Sequence, residues 1–160
     1  DARLKALTIV ARGAGAMGMV AGQVLDLEFE GKPCEERDLE KIHTHKTGKL
    51  LSASVLAGAA CVGASSVDFE RLSTYGRAMG LAFQIADDVL DLTATTQELG
   101  KDAKSDLKKH KATYPSVIGM DRSRARAAQL LDEALAAIRP FEGNAAALAS
   151  LARYIVERRS

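Results

Sequence analysis

An all-α fold is predicted by three features of the sequence. The composition favours Ala, Leu, Glu, Lys, Arg and Gln, all strong helix formers. No stretch of useful length alternates apolar and polar residues as a half-buried strand would, and aromatic residues make up only 4%. The three prolines, at 33, 115 and 140, each fall where one apolar-periodic segment gives way to the next. With 160 residues, 47% of them hydrophobic, a single domain with a real core is the expectation.

Five helices are expected, at roughly 1–27, 35–63, 67–94, 114–139 and 144–158. The first starts already inside a helical pattern (Leu4, Leu7, Ile9, Val10), with no cap and no initiating Met before it. The chain is therefore expected to be part of something longer. This helix also holds Gly13, Gly15, Gly18 and Gly22. Each costs up to about 1 kcal/mol in a helix interior, so close approach of another helix, within or between subunits, is expected. Residues 53–64 in the second helix are the longest apolar-plus-small run and suit burial. The third opens at Ser66 as N-cap, with Asp68 and Glu70 in the first turn, where carboxylates suit the helix dipole. Asp121 and Asn144 are expected to cap the last two. Residues 95–113 are the one long irregular segment, and loops of that length are commonly functional or disordered.

Several function classes drop out. A net charge of +1 favours neither nucleic acid nor a charged membrane surface as partner. No apolar run reaches the roughly 18 residues of a membrane-spanning helix. The opening Asp-Ala-Arg-Leu-Lys lacks the basic-then-apolar order of a signal peptide. Cys34 and Cys61 are too few and too far apart for a zinc cluster or a disulfide framework, and read as reduced thiols of a cytoplasmic protein. Gly13-Ala-Gly15-Ala-Met-Gly18 matches the dinucleotide fingerprint, with Asp38 about 20 residues on. That fingerprint needs strand–helix alternation around it, and long helices follow instead.

The chemistry concentrates at residues 83–91, Phe-Gln-Ile-Ala-Asp-Asp-Val-Leu-Asp. At ~100° per residue, Gln84, Asp87, Asp88 and Asp91 fall within roughly 100° of arc, while Met79, Phe83, Ala86 and Leu90 lie opposite. One face packs and the other carries three carboxylates. Carboxylates ~4 Å apart repel by ~1 kcal/mol in water and ~4 kcal/mol near a protein surface. A divalent cation with oxygen ligands removes that cost, and Mg²⁺ commonly joins one or two carboxylates to substrate phosphates. Two readings stand: a Mg²⁺–polyphosphate site, or a solvated acidic face. Directly after it runs a basic stretch, Lys101, Lys104, Lys108, Lys109, His110 and Lys111, with Asp102 and Asp106 interspersed. Cations so placed suit the phosphate oxygens a metal leaves free, although a lysine run by itself is commonly solvated surface. His43 and His45, two apart, point in different directions on a helix and read as surface or satisfied histidines. Gln23 and Asp26, polar at i and i+3 in an apolar helix, read by default as capping or an internal hydrogen bond.

Taken together, these pieces resemble the trans-prenyltransferase (polyprenyl diphosphate synthase) family, most closely bacterial farnesyl/geranyl diphosphate synthases. The matching stretches are Gly22-Gln23-Val24-Leu25-Asp26-Leu27 with Glu30-Gly31-Lys32, then Ile42-His43-x-His45-Lys46-Thr47-Gly48. Gly80-Leu81-Ala82-Phe83-Gln84-Ile85-x-Asp87-Asp88-x-Leu90-Asp91 follows, then Gly100-Lys101, Asp106 and Lys111-Ala112-Thr113-Tyr114-Pro115. Tyr154-Ile155-Val156-Glu157-Arg158-Arg159 closes the chain in a family-like way.

The resemblance implies an antiparallel helical bundle of the isoprenoid synthase type, of which this chain is the C-terminal half, and a cytoplasmic homodimer. It implies condensation of an allylic diphosphate with isopentenyl diphosphate. Asp87, Asp88 and Asp91 would hold Mg²⁺ on the allylic diphosphate, and Lys46, Lys101 and Lys111 would neutralise that diphosphate as it leaves. Thr47 and Gln84 would set oxygen dipoles near the developing cation. Phe83 would pack against isopentenyl diphosphate, with Gln23, Asp26 and Arg158 as further substrate-binding residues. Two positions depart from the pattern: Lys104 and His110 stand where many relatives have Gly, making the basic loop stiffer and more cationic. The family's first aspartate-rich motif does not occur in these 160 residues. A non-catalytic partner subunit and a terpene cyclase are the alternatives, the second disfavoured by the Lys-Thr and Gly-Lys pairs. With half the metal cage absent, the purified 160-residue chain is expected to incorporate radiolabelled isopentenyl diphosphate negligibly; robust turnover would contradict the half-site argument.

Overall fold

A computed structural model describes residues 1–93 and 112–158, and among these every regular element is helical. Where one helix was expected over 1–27 there are two, α1 (Ala2–Ala14) and α2 (Met19–Glu28). Gly15 caps α1 in an extended conformation (φ −75°, ψ −167°), so the chain bends before α2 begins. The second expected helix is continuous, with an internal irregularity. It is built from α3 (Glu36–His43), a π turn (Thr44–Gly48) and α4 (Lys49–Cys61). Helix α5 (Ser66–Thr93) matches the expected 67–94.

The expected 114–139 helix is broken into α6 (Tyr114–Ile118) and α7 (Met120–Ile138). Gly119 between them has φ +88°, a left-handed conformation that glycine adopts without steric cost. A 3₁₀ segment (Arg139–Ala145) then leads into α8 (Ala146–Glu157). The caps differ from expectation in detail. Ser65, not Ser66, caps α5: its Oγ accepts from the Asp68 N–H at 3.1 Å and donates to Asp68 Oδ2 at 2.7 Å. Asp121 lies in the first turn of α7 behind Gly119, and α8 starts after Ala145 rather than at Asn144.

Within Ala2–Glu28 an 18-residue window reaches a mean hydropathy of 1.3, enough by length and composition alone for a membrane-crossing helix. The cause is that residues 6–25 contain a single charged side chain, Arg12, among small and apolar ones. The bend at 15–18 divides that stretch, and α1 packs on α4, where a Cβ on Gly13 would come within 2.5 Å of Ala53 Cβ. Its outer face leaves Leu4 and Leu7 about two-thirds exposed, at 66% and 68%.

The core lies on one side of α5. Tyr75, Met79, Ala82 and Ile85 pack with Leu130, Ala134 and Ile138 of α7 and with Ala152 and Ile155 of α8. Small residues on the other side let the chain of α4, the π turn and α3 run antiparallel to α5 at close range. A Cβ on Gly76 would lie 2.8 Å from Ser52 Cα, and one on Gly80 would lie 2.5 Å from Gly48 Cα. About two turns further along α5, residue 43 meets residue 88. This register brings the Ile-His-x-His-Lys-Thr segment beside the acidic stretch of α5.

Because the Gly80 contact is backbone against backbone, no rotamer change relieves it. Gly80→Ala is expected to destabilise by about 1–3 kcal/mol, as overpacking does. Gly58, which has open space around its Cβ position in α4, is expected to gain up to about 1 kcal/mol on conversion to Ala. Urea unfolding of the two variants tests this; equal effects would contradict the register.

Candidate functional site

Helix α5 presents Gln84, Asp87, Asp88 and Asp91 along the stripe that begins at Gly80, since residues three and four apart share a helix face. Opposite them Met79 (0% exposed) and Ala86 (6%) are buried, as the sequence pattern requires. Asp87 and Asp88 are consecutive, so their side chains diverge by about 100° and meet different partners.

Asp88 turns inward. Its Oδ2 accepts a hydrogen bond from His43 Nε2 at 3.0 Å and another from the Tyr114 N–H at 2.8 Å. Because the carboxylate only accepts, His43 is the donor and carries its proton on Nε2. The Tyr114 N–H is among the first-turn donors of α6 that no intrahelical carbonyl can satisfy. The Thr113–Ser116 capping box sets the start of that helix. Tyr114 is fully buried, and its ring stacks on His43 with centroids 5.5 Å apart and 21° between planes. Burial, followed by the nearby Glu40 carboxylate, pushes the Tyr114 phenol well above the usual range, so the hydroxyl stays protonated. Neither that hydroxyl nor His43 Nδ1 has a hydrogen-bond partner among the described residues.

Asp87 turns outward, with 48% of its side chain exposed. Arg158, the residue closing α8, reaches back across α5 to pair with Asp87 Oδ1 at 3.1 Å. Its guanidinium also sits 4.7 Å above the Phe83 ring, a cation–π distance. With Asp87 half exposed, this ion pair is worth under about 1 kcal/mol.

Lys46 and Thr47 lie on the π turn, a geometry that is rare and frequent at functional sites. The turn is wedged between α2 and α5: a Cβ on Gly22 would overlap the Lys46 backbone, and Gly48 rests on Gly80. Lys46 Nζ pairs with Asp26 Oδ2 of α2 at 2.7 Å, a short charge-assisted bond with both side chains largely buried. Asp26 therefore has an ionic partner beyond the capping role expected by default, whereas Gln23 is exposed on α2. Thr47, Gln84 and Asp91 are half-buried. Lys101 and Lys111, like the rest of the basic loop, lie outside the described residues.

Asp87, Asp88 and Asp91, expected to hold Mg²⁺ on a diphosphate, all lie on α5. Among the described residues no three His, Cys, Asp or Glu side chains converge on one point. Asp88 is drawn toward His43 and Tyr114, and Asp87 toward Arg158, so their carboxylates point apart. What the face offers a cation is hard oxygen from separate acids, which fits a metal that takes its other ligands from phosphate. Both protein donors to Asp88 use Oδ2, and its Oδ1 accepts no hydrogen bond among the described residues.

Sequence reasoning missed His43 and Tyr114 as residues of the site. His43 bonds a residue 45 positions away and is only 7% exposed. The available signals were its place three residues before Lys46 and the placement of Tyr114 directly after a capping threonine. His45, by contrast, is satisfied locally, its Nδ1–H donating to the Lys41 carbonyl at 2.9 Å.

Fold and site together define an all-helical protein of the isoprenoid synthase type. The sequence model of the Polyprenyl synthetase family matches residues 2–151, and the chain belongs to that family. It is 47% identical over 159 residues to a dimethylallyltranstransferase from Fischerella ambigua (strain UTEX 1903), covering 99% of this chain and 46% of that protein. A polyprenyl synthase from Caulobacter crescentus CB15, solved with calcium and isoprenyl diphosphate, superposes with a TM-score of 0.89 at 30% identity, covering 98% of this chain and 60% of that one. A geranyltransferase from Helicobacter pylori, complexed with magnesium and isoprenyl diphosphate, gives 0.78 at 30%, covering 96% and 50%. The chain spans about half the length of the curated relatives it matches.

Since the Tyr114 hydroxyl is buried without a described partner, Tyr114→Phe is expected to be neutral or slightly stabilising. Tyr114→Ala, which removes the ring stacked on His43, should cost about 3–5 kcal/mol by analogy with buried Phe. A loss above about 1.5 kcal/mol for the Phe variant in thermal unfolding would reveal a hydrogen-bond partner for the hydroxyl.

Proposed function

We propose that this chain contributes to a prenyltransferase that condenses an allylic diphosphate with isopentenyl diphosphate to make short-chain prenyl diphosphates. The observation that carries the reading is the acidic stripe of α5 with the Lys46 turn seated against Gly80 of the same helix, about two turns before Asp87. In this reaction the allylic C–O bond breaks heterolytically, leaving an allylic cation and a diphosphate anion. The double bond of isopentenyl diphosphate forms the new C–C bond, and the proton then lost passes to the released diphosphate. Most of the barrier is charge separation, so preorganised cations and dipoles supply most of the rate.

The roles divide by position. Asp87, Asp88 and Asp91 would hold Mg²⁺, which when bound supplies positive charge to the departing diphosphate. Lys46, oriented by Asp26, pairs with diphosphate oxygens, as do Lys101 and Lys111. Thr47 and Gln84 turn oxygen dipoles toward the developing cation. Phe83 packs against isopentenyl diphosphate, Arg158 above it meets that substrate's charge, and Gln23 is a further substrate-binding residue. The exposed apolar residues Leu4, Leu7 and Val10 on α1 offer a face that a homodimer would cover, and a cytoplasmic location accompanies this reading.

In the full-length protein, Asp87→Ala is expected to lower incorporation of radiolabelled isopentenyl diphosphate by about two to three orders of magnitude. Asp87 is half exposed, so the unfolding midpoint should hardly move. A near-native rate would contradict the metal role.

A further inference from the structure

We infer that His43 is a positioning residue for Asp88: it fixes the carboxylate's rotation so that Oδ1 alone is presented to a metal–diphosphate ligand. The inference rests on the proposed diphosphate reading and extends it to a residue with no role of its own in that reaction.

The geometry supports this in three steps. First, both donors to Asp88, the His43 ring and the Tyr114 backbone, converge on the same oxygen, Oδ2, at 3.0 and 2.8 Å. A carboxylate held at one oxygen by two donors from different elements has lost its freedom to rotate, and its two oxygens are no longer equivalent. Second, the imidazole is itself immobile. It is 7% exposed and stacked on a tyrosine that is fully buried, so its Nε2–H points in one direction. Third, the other ring nitrogen, Nδ1, is buried without a partner among the described residues. A neutral imidazole protonated at Nε2 leaves only a lone pair there, not an unmet N–H. The arrangement is the outer-sphere pairing of carboxylate and imidazole seen around many metals, with the roles exchanged: here the carboxylate faces the ligand and the imidazole stands behind it.

A purely structural role predicts that affinity follows stability. A positioning role separates the two. His43→Phe keeps a ring against Tyr114 and removes the donor, whereas His43→Gln keeps an N–H near the Nε2 position and removes the ring. The test is isothermal titration of each full-length variant with inorganic pyrophosphate in the presence of Mg²⁺, alongside its thermal unfolding midpoint. The expected result is a pyrophosphate Kd about tenfold weaker in His43→Phe, in line with loss of an outer-sphere partner, with its midpoint near native. His43→Gln should bind close to the native value despite a lowered midpoint. An unchanged Kd in His43→Phe, or Kd values that simply track the midpoints, would overturn the inference. Asp87→Asn serves as the separate arm. If it leaves Mg²⁺–pyrophosphate binding untouched, the diphosphate reading itself is wrong and the inference falls with it. If it abolishes binding while His43→Phe does not change it, only the role of His43 is refuted.

Discussion

The close backbone approach at Gly76 and Gly80 of α5 is the constraint on which the rest of the structure depends. Gly80 against Gly48, and Gly76 against Ser52, let backbones come together at distances that a side chain on Gly76 or Gly80 would prevent. Helix packing at ordinary separations of 8–10 Å leaves room for side chains between axes. Here that room is removed over two turns, so the register between the two elements is set by backbone shape rather than by side-chain choice. His43 and Lys46 project from the first element, and Gln84, Asp87 and Asp88 from the second. A slip by one turn would leave Asp88 without His43 and would bury glycine against bulk.

The π turn adds to this constraint. An α-helix continued straight through Thr44–Gly48 would advance His43 and Lys46 around the axis at a regular 100° per residue. The wider turn shifts that phase within five residues. His43 then reaches inward to α5 while Lys46 pairs with Asp26 on α2. Gly22 is the counterpart on α2, where a side chain would collide with the Lys46 backbone. The helix irregularity and the glycine facing it are thus one feature, distributed over two parts of the sequence.

Much of this was legible in the sequence and some was not, for identifiable reasons. The long periodic elements were readable because burial on one face leaves a mark at every third or fourth residue, as in α5. The acidic face was readable for the same reason, since Met79 and Ala86 lie opposite it. The clustered glycines of residues 13–22 correctly signalled close packing, although Gly15 ends a helix, Gly18 meets the end of α1, and Gly13 and Gly22 make the contacts with α4 and the π turn. The break at Gly119 was a visible glycine inside a helical pattern, and its positive φ ends α6 there. Other features left no local trace. A π turn has the same hydrophobic pattern as the helix around it. The partners of Asp88 lie 45 and 26 positions away, and no window of sequence contains such a pair. The divergence of Asp87 from Asp88 follows from helix geometry, but which group would claim each acid depends on where α6 and α8 end.

Those two ends explain the unlike character of neighbouring acids. Asp88 is held by an imidazole and a backbone N–H in a site only 15% exposed, where water and salt do little to weaken them. Asp87 is held by a guanidinium at a half-exposed position, where screening leaves the pair marginal. One carboxylate is therefore rigid, and its neighbour is exchangeable at small free-energy cost. The same Arg158 lies over Phe83, so displacing it from Asp87 need not release it from α5. A helix that bears one fixed and one exchangeable acid can accept a cation without reorganising its backbone. The ordering entropy of Asp88 has been met in folding, and the ion pair between Asp87 and Arg158 is a weak one.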